Sequence, residues 1–210
     1  MTLSRSARAT RTRPARTREP LPLRETVLRA AVDYIAEHGP DGLSLRQVAA
    51  DAGVSHQAPY HHFGDRRAIF TAIGIEGFTM LDAALRRPAP AGTSSTIAMG
   101  EQYVEFALTH TGHFRVMFRR DLCTIEDSPE LRAAADTAFA TLVDEARAVV
   151  GPDAPEAAVH VRALTMWSLT HGLATLLIDG PVEEKIGPVR NRRALVRAVL
   201  ADSGIAASRQ

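Results

Sequence analysis

Ser44–Phe63, SLRQVAADAGVSHQAPYHHF, is the stretch whose reading decides the fold. Ser44 is suited to cap a helix, Gln47 stands three residues on, and Leu43 and Val48 flank this capping box as a hydrophobic staple. Leu45, Val48, Ala49 and Ala52 recur at helical spacing. Gly53 supplies the left-handed residue that ends such a helix, with Val54 packed in the turn. Ser55 reads as the cap of a second helix carrying His56, Gln57, Ala58, Tyr60, His61 and His62 within two turns. Two short helices joined by a Gly-containing turn form the unit whose second helix fits the DNA major groove. Ordinary helical hairpins use the same turn, so the flanking sequence decides. Pro59 predicts an altered or late start for the second helix. Counted from a cap at Ser55 it would remove the first intrahelical bond, whereas a later start puts it in the tolerated first turn.

Upstream, Leu28, Ala31, Val32 and Ile35 mark one face of a helix from Leu23 to His38, stopped by Gly39-Pro40. Downstream, Gly64-Asp65 breaks the chain, and Asp65 caps a long helix with Ile69, Phe70, Ile73, Phe78, Leu81 and Leu85 on its apolar side. Arg66 and Arg67 in that helix's first turn oppose its dipole. Beside the free N–H groups there, they form a candidate phosphate clamp. Residues 1–22 place six arginines among Thr, Ser, Ala and Pro. That composition predicts a disordered arm, able to follow phosphates or enter a minor groove. Charge is divided accordingly. Residues 1–70 hold 11 Arg against 7 acids, a net +4, and the remainder 14 Lys/Arg against 17 acids, a net −3. A polyanion partner fits the first third only.

Residues 86–96, RRPAPAGTSST, read as a linker. Beyond it the chain stays helical over 97–203, with no strand-like alternation. Met99, Tyr103, Phe106 and Ala107 share one face; Phe114, Met117, Phe118 and Leu122 follow after Gly112. Ser128-Pro129 opens a helix expected to bury Leu131, Ala135, Phe139, Leu142 and Val149. A strongly apolar helix runs to Ile178, then a turn-rich DGPVEEKIGP loop, then a last helix with Leu195, Val196, Val199 and Leu200. The fold class is all-α, with an N-terminal helix-turn-helix domain over 23–85. Cys123 is the only cysteine, so no intrachain disulfide is possible. No apolar run approaches the ~20 residues of a membrane span, and residues 1–22 contain no apolar signal core. The expected location is the cytoplasm, with no membrane partner.

The segment LSLRQVAADAGVSHQAPYHHFGDRRAIFTAI, above all Leu45, Val48, Ala49, Gly53, Val54, Ser55, Tyr60, Phe63 and Phe70, resembles the DNA-binding domain of the TetR family of bacterial transcriptional regulators. The resemblance implies phosphate contacts from Tyr60 and Arg66. Arg66 stands where lysine is usual, which keeps charge and changes geometry. Pro59 stands where Leu, Val or Ile is commoner. YVEFALTHTGHFRVMF and MWSLTHGLATLLIDG, with Trp167, His171 and Gly172, resemble the C-terminal domain named for a Trp-His-Gly signature. That resemblance implies a helical effector-binding and dimerisation domain, and a repressor released from double-stranded operator DNA by a small molecule.

The candidate DNA-contacting residues are Ser44, Arg46, Ser55, His56, Gln57, Ala58, Tyr60, His61, His62 and Arg66. Tyr103, Phe106, His110, Phe114, Met117, Phe118, Phe139, Trp167 and His171 are candidates to line a pocket for a hydrophobic or aromatic effector. Leu173, Leu176, Leu177, Leu195, Val196 and Val199 are candidates for a homodimer interface, in which helix pairs meet their copies. Three clustered histidines without neighbouring acids match no zinc spacing. The alternative reading is a helical small-molecule-binding protein or a metal sensor with a weak or vestigial DNA-binding unit, the metal sensor resting on His110, His113 and Cys123. No phosphate loop, nucleophile elbow or HExxH spacing suggests an enzyme, and no cofactor is called for.

Overall fold

The computed structural model describes residues 22–123 and 128–206. The Arg-rich arm expected over residues 1–22 therefore lies, Pro22 apart, outside the described residues. Within them every regular element is a helix: α1 (Leu23–His38), α2 (Leu45–Asp51), α3 (Ala58–Phe63), α4 (Arg66–Leu85), α5 (Ser95–Thr109), α6 (Thr111–Met117), α7 (Pro129–Val150), α8 (Glu156–Asp179), α9 (Pro181–Ile186) and α10 (Arg192–Asp202). Short α9 lies in the segment expected to be a loop. Gly180 in the left-handed region and Pro181 in the first turn start it, a placement that needs no donor from proline.

Local chemistry sets the boundaries. Ser44 Oγ accepts from Gln47 N at 3.2 Å. The reciprocal half of the expected capping box is missing, because Gln47 Nε2 donates to Asp51 Oδ1 at 2.7 Å instead. Gly53, at φ 66°, closes α2: its N–H donates to Ala50 O, and Val54 N–H reaches back to Ala49 O. These two bonds are a Schellman motif. Asp65 caps α4 through Ala68 N at 2.8 Å, and Ser128 caps α7 through Leu131 N at 3.2 Å.

α1, α2 and α3 pack on one another around Ile35, Leu43, Val48, Ile69 and Phe70. α4 then runs on against α5, α6 and α7. It is therefore a wall of both halves, and one apolar cluster extends from Val27 to Ile205. By length and composition α4 is apolar enough to cross a membrane, contrary to expectation. Half of that apolar window is buried within the fold, which accounts for its apolar character. α5 is the central helix, buried at almost every position from Ala98 to Val104. Its buried Glu101 takes 2.5 and 2.9 Å hydrogen bonds from Arg197 of α10. A buried carboxylate is tolerated only when paired in this way. On α7 the prediction of a buried Phe139 fails, since that ring is 37% exposed. Ala138, Thr141 and Ala146 join Leu131 on the buried side of α7.

α6 lies close against α1. A Cβ on Gly112 would collide with the Val32 carbonyl oxygen, so only glycine fits without separating the helices. Gly112→Ala should destabilise the protein by about 2 kcal/mol or more through forced overpacking, read as a lowered midpoint in urea denaturation. An unchanged midpoint would show that α6 and α1 are not held in this register.

Candidate functional site

The second reading helix starts late, as the proline requires. α3 begins at Ala58 with Pro59 in its first turn, and Gln57 occupies the cap position. Ser55 is not the side-chain cap expected of it; its carbonyl accepts from Ala58 N in the turn before the helix. Ala58 is buried and faces the core, so it leaves the set of candidate DNA contacts. The others, Ser44, Arg46, Ser55, His56, Gln57, Tyr60, His61, His62 and Arg66, are exposed. Gln57, Tyr60 and His61, at i, i+3 and i+4, share one outward face of α3, and Tyr60 is 48% exposed. α3 carries no arginine or lysine, so the cations near it come from α1, α2 and α4, with Arg24 of α1 over the Phe63 ring at 4.8 Å.

Those cations are partly engaged. Arg66 Nη1 donates to the carbonyls of Asp41 and Leu43, each at 3.2 Å. The clamp predicted at the start of α4 is thus also a brace for the loop between α1 and α2. The end of α1 and the same loop are also held by α6 and the residues after it. Arg115 Nη1 donates to Ile35 O and Ala36 O at 3.3 and 3.1 Å, and Arg119 Nη2 meets Asp41 Oδ1 at 3.0 Å.

Beneath this unit, α4, α5, α6, α7 and α8 surround a cavity of about 490 Å³. Of the candidates, Tyr103, Met117, Phe118, Phe139, Trp167 and His171 line it. Phe106 and Phe114 do not. Phe106 is core, its ring 5.1 Å from that of His110 and tilted to it by 38°. Phe114 backs the wall, 5.1 Å from the His171 ring and 5.4 Å from Phe118. His110 opens instead on a separate polar cleft beside α1 and α9. The cavity walls that sequence reading missed are chiefly Phe78, Leu81 and Leu85 of α4, with Met99, Leu142 and Met166. Their helical spacing marked the α4 residues only as core, and spacing cannot separate a packed face from one lining a void.

One end of the cavity is polar. Trp167 Nε1 donates to the Tyr103 hydroxyl at 3.2 Å, and that hydroxyl lies 2.9 Å from His171 Nδ1. Burial pushes the Tyr103 hydroxyl far above its ordinary value, so it stays protonated. Burial also holds the His171 imidazole below its usual value, which favours the neutral ring. The His110 ring is lowered by burial and by neighbouring His113 and Arg87, against Glu76. Cys123 is buried with its thiol turned to the Val116 carbonyl at 3.7 Å, and burial raises its pKa. Among the described residues no three His, Cys, Asp or Glu side chains converge so as to hold a metal ion. The metal-sensor alternative therefore lacks a ligand set there.

The candidate dimer residues divide. Leu177 and Val196 are buried in the chain's own core. Leu176 is 50% exposed, and Leu173, Leu195 and Val199 are half-buried. Val161 and Leu164, 60% and 49% exposed, extend the outer face of α8. Gly172 lies between them and Leu176 with open space at its Cβ.

Comparison with known proteins places this arrangement. Residues 27–73 match the family described as bacterial regulatory proteins, tetR family, and residues 96–202 match the tetracyclin repressor-like C-terminal domain. The HTH-type transcriptional repressor Rv3405c of Mycobacterium tuberculosis is 35% identical over 85 residues, covering 38% of this chain and 45% of that protein. The chain thus spans less than half the length of the first curated relatives it matches. The class A tetracycline repressor from transposon 1721 of Escherichia coli is 46% identical over 48 residues, 23% of this chain and 22% of that one. A Rhodococcus sp. RHA1 structure of unknown function superposes with a TM-score of 0.72 at 28% identity, covering 93% of this chain and all of that one. The TetR family regulator PfmR of Thermus thermophilus shares the fold, with a TM-score of 0.64 at 20% identity over 88% of this chain and 98% of that one. With its helix-turn-helix half and its larger helical half both matched, the chain belongs to the TetR family of bacterial transcriptional regulators.

Proposed function

We propose that the protein is a homodimeric repressor that binds a palindromic operator in the cytoplasm and is released when a small hydrophobic or aromatic molecule fills the cavity. The observation that carries this reading is α4. Its first turn braces the α1–α2 loop through Arg66, and its last turns, through Phe78, Leu81 and Leu85, wall the cavity. A molecule that fits one placement of that wall better than another shifts the helix toward the placement it fits. A molecule burying about 200 Å² of apolar surface gains about 5 kcal/mol, against the 1–3 kcal/mol that typically couples two sites. The available energy is therefore sufficient. In this reading the C-terminal half follows the Trp-His-Gly branch, with Trp167 and His171 in the cavity wall and Gly172 on the outer face of α8.

The repressor assignment is supported by the name of the relative Rv3405c. Dimerisation is supported by the stripe of Val161, Leu164, Gly172 and Leu176, which leaves a large apolar face of α8 uncovered. Two copies would set their α3 helices to address successive major-groove faces about 34–36 Å apart.

Fluorescence anisotropy on DNA selected from random sequence, and on DNA upstream of the gene, tests the reading. Binding should be specific and weaken steeply with salt, since phosphate contacts release counterions. His61→Ala with Arg46→Ala should weaken it at least tenfold while leaving the dimer intact. Equal affinity for selected and scrambled DNA would favour the vestigial-unit alternative. Leu164→Glu with Leu176→Glu should give a folded monomer in sedimentation analysis; a persistent dimer would move the interface elsewhere.

A further inference from the structure

We infer that the cavity selects uncharged hydrophobic molecules bearing one hydrogen-bond acceptor, of the ketone, ester or amide carbonyl class, and that His171 Nε2–H is the donor that reads it. The inference rests on the effector-cavity reading above. Each hydrogen in the polar cluster can be followed. The indole N–H of Trp167 only donates, so the Tyr103 oxygen accepts it at 3.2 Å. The Tyr103 hydroxyl is buried, and its one acceptor among the described residues is His171 Nδ1, at 2.9 Å. If His171 donated across that contact instead, the buried phenolic hydrogen would have no partner, a loss of about 1–3 kcal/mol by general experience with orphaned groups. The hydroxyl therefore donates and Nδ1 accepts. The neutral imidazole must then carry its proton on Nε2.

That N–H is the hydrogen left over. Nε2 makes no hydrogen bond to a described residue, and the ring that carries it lines the cavity. The other neutral polar hydrogens of the wall are turned into the protein. Thr170 Oγ1 donates to Met166 O at 2.9 Å, Thr96 Oγ1 to Glu145 Oε1 at 2.6 Å, and Cys123 Sγ to Val116 O. The rest of the interior is apolar or aromatic. The exposed residues Arg120 and Asp136 contribute charge to its lining. A site whose one free neutral donor sits among largely apolar and aromatic side chains favours a molecule with one acceptor over a hydrocarbon of equal shape, because the latter leaves the donor unpaired. Tyr103 and Trp167 act as positioning residues: they fix which nitrogen of His171 is protonated.

Benzophenone and 1,1-diphenylethylene are near-isosteric and differ in the acceptor. Titration calorimetry on the full-length protein should show benzophenone binding about tenfold tighter, the size of one net hydrogen bond. His171→Phe should bring the two affinities together. Imidazole ¹⁵N NMR of the wild type, with the His171 signals identified by their loss in His171→Phe, should show the Nε2–H form. Tyr103→Phe should yield a mixture of the two forms and a smaller preference for the ketone, and the calorimetric preference is a readout that holds even if His171→Phe does not fold. Equal wild-type affinities, or an Nδ1–H imidazole, would overturn the inference while leaving the cavity as an effector site. Binding of neither compound would overturn the effector-cavity reading itself, and this inference with it.

Discussion

The structure depends on one constraint: a single 20-residue helix, α4, is a wall of both halves of one continuous core. Ile69 and Phe70 are fully buried beside α1, α2 and α3; Phe78, Leu81 and Leu85, two to four turns later, are buried on the cavity side. An unbroken helix of that length is about 30 Å long, and nothing in its sequence offers a proline hinge. A displacement at one end therefore has to be accommodated at the other. Gly74 and Gly77 let neighbours come close to its middle. A Cβ on Gly77 would meet Met117 Sδ at 2.6 Å, and one on Gly74 would meet Leu131 Cδ1 at 2.8 Å. The helix is gripped where its side chains are smallest.

α6 provides a second connection by the same physical logic. Met117 and Phe118 face the cavity, whereas Arg115 and Arg119, one to three residues away, hold the end of α1 and the α1–α2 loop. Arg66 holds that loop from α4. The loop precedes Ser44, the cap of α2, so its position sets that of the helix pair presenting His56, Gln57, Tyr60 and His61. Guanidinium groups suit this task, since their several donors can satisfy adjacent carbonyl oxygens together. Gly112 against the Val32 carbonyl makes the α6–α1 contact steric as well as polar.

Much of this was legible in the sequence, for identifiable reasons. The α2 cap at Ser44, the Gly53 turn and the Asp65 and Ser128 caps are local rules written in a few residues, and each occurs where spacing put it. Pro59 signalled a late helix start, and α3 starts late. The failures come where tertiary context decides. Ala58 lies on a segment rich in polar residues yet is buried, at the first position of α3 beside buried Pro59. Phe139 sits at a core-like spacing but stands at the cavity edge, where a void replaces its packing partners. Leu177 and Val196 are apolar like their neighbours, and only the three-dimensional arrangement assigns them to the chain's own core. The hydrogen-bonded set of Tyr103, Trp167 and His171 spans 68 residues of sequence, beyond the reach of any local pattern, although all three were named individually as cavity candidates.

The account stands on coupling between cavity and reading face, and a side chain can stand in for the effector. Ala135 lines the cavity from α7, away from α3 and from the outer face of α8. The decisive measurement is the operator affinity of Ala135→Trp beside that of the wild type, by fluorescence anisotropy on selected DNA. Loss of benzophenone binding would show that the indole occupies the cavity. With the cavity so filled and the dimer intact, the account predicts operator binding weakened by about tenfold, the range of a typical coupling free energy. Unchanged operator affinity in a variant whose cavity is demonstrably filled would contradict it.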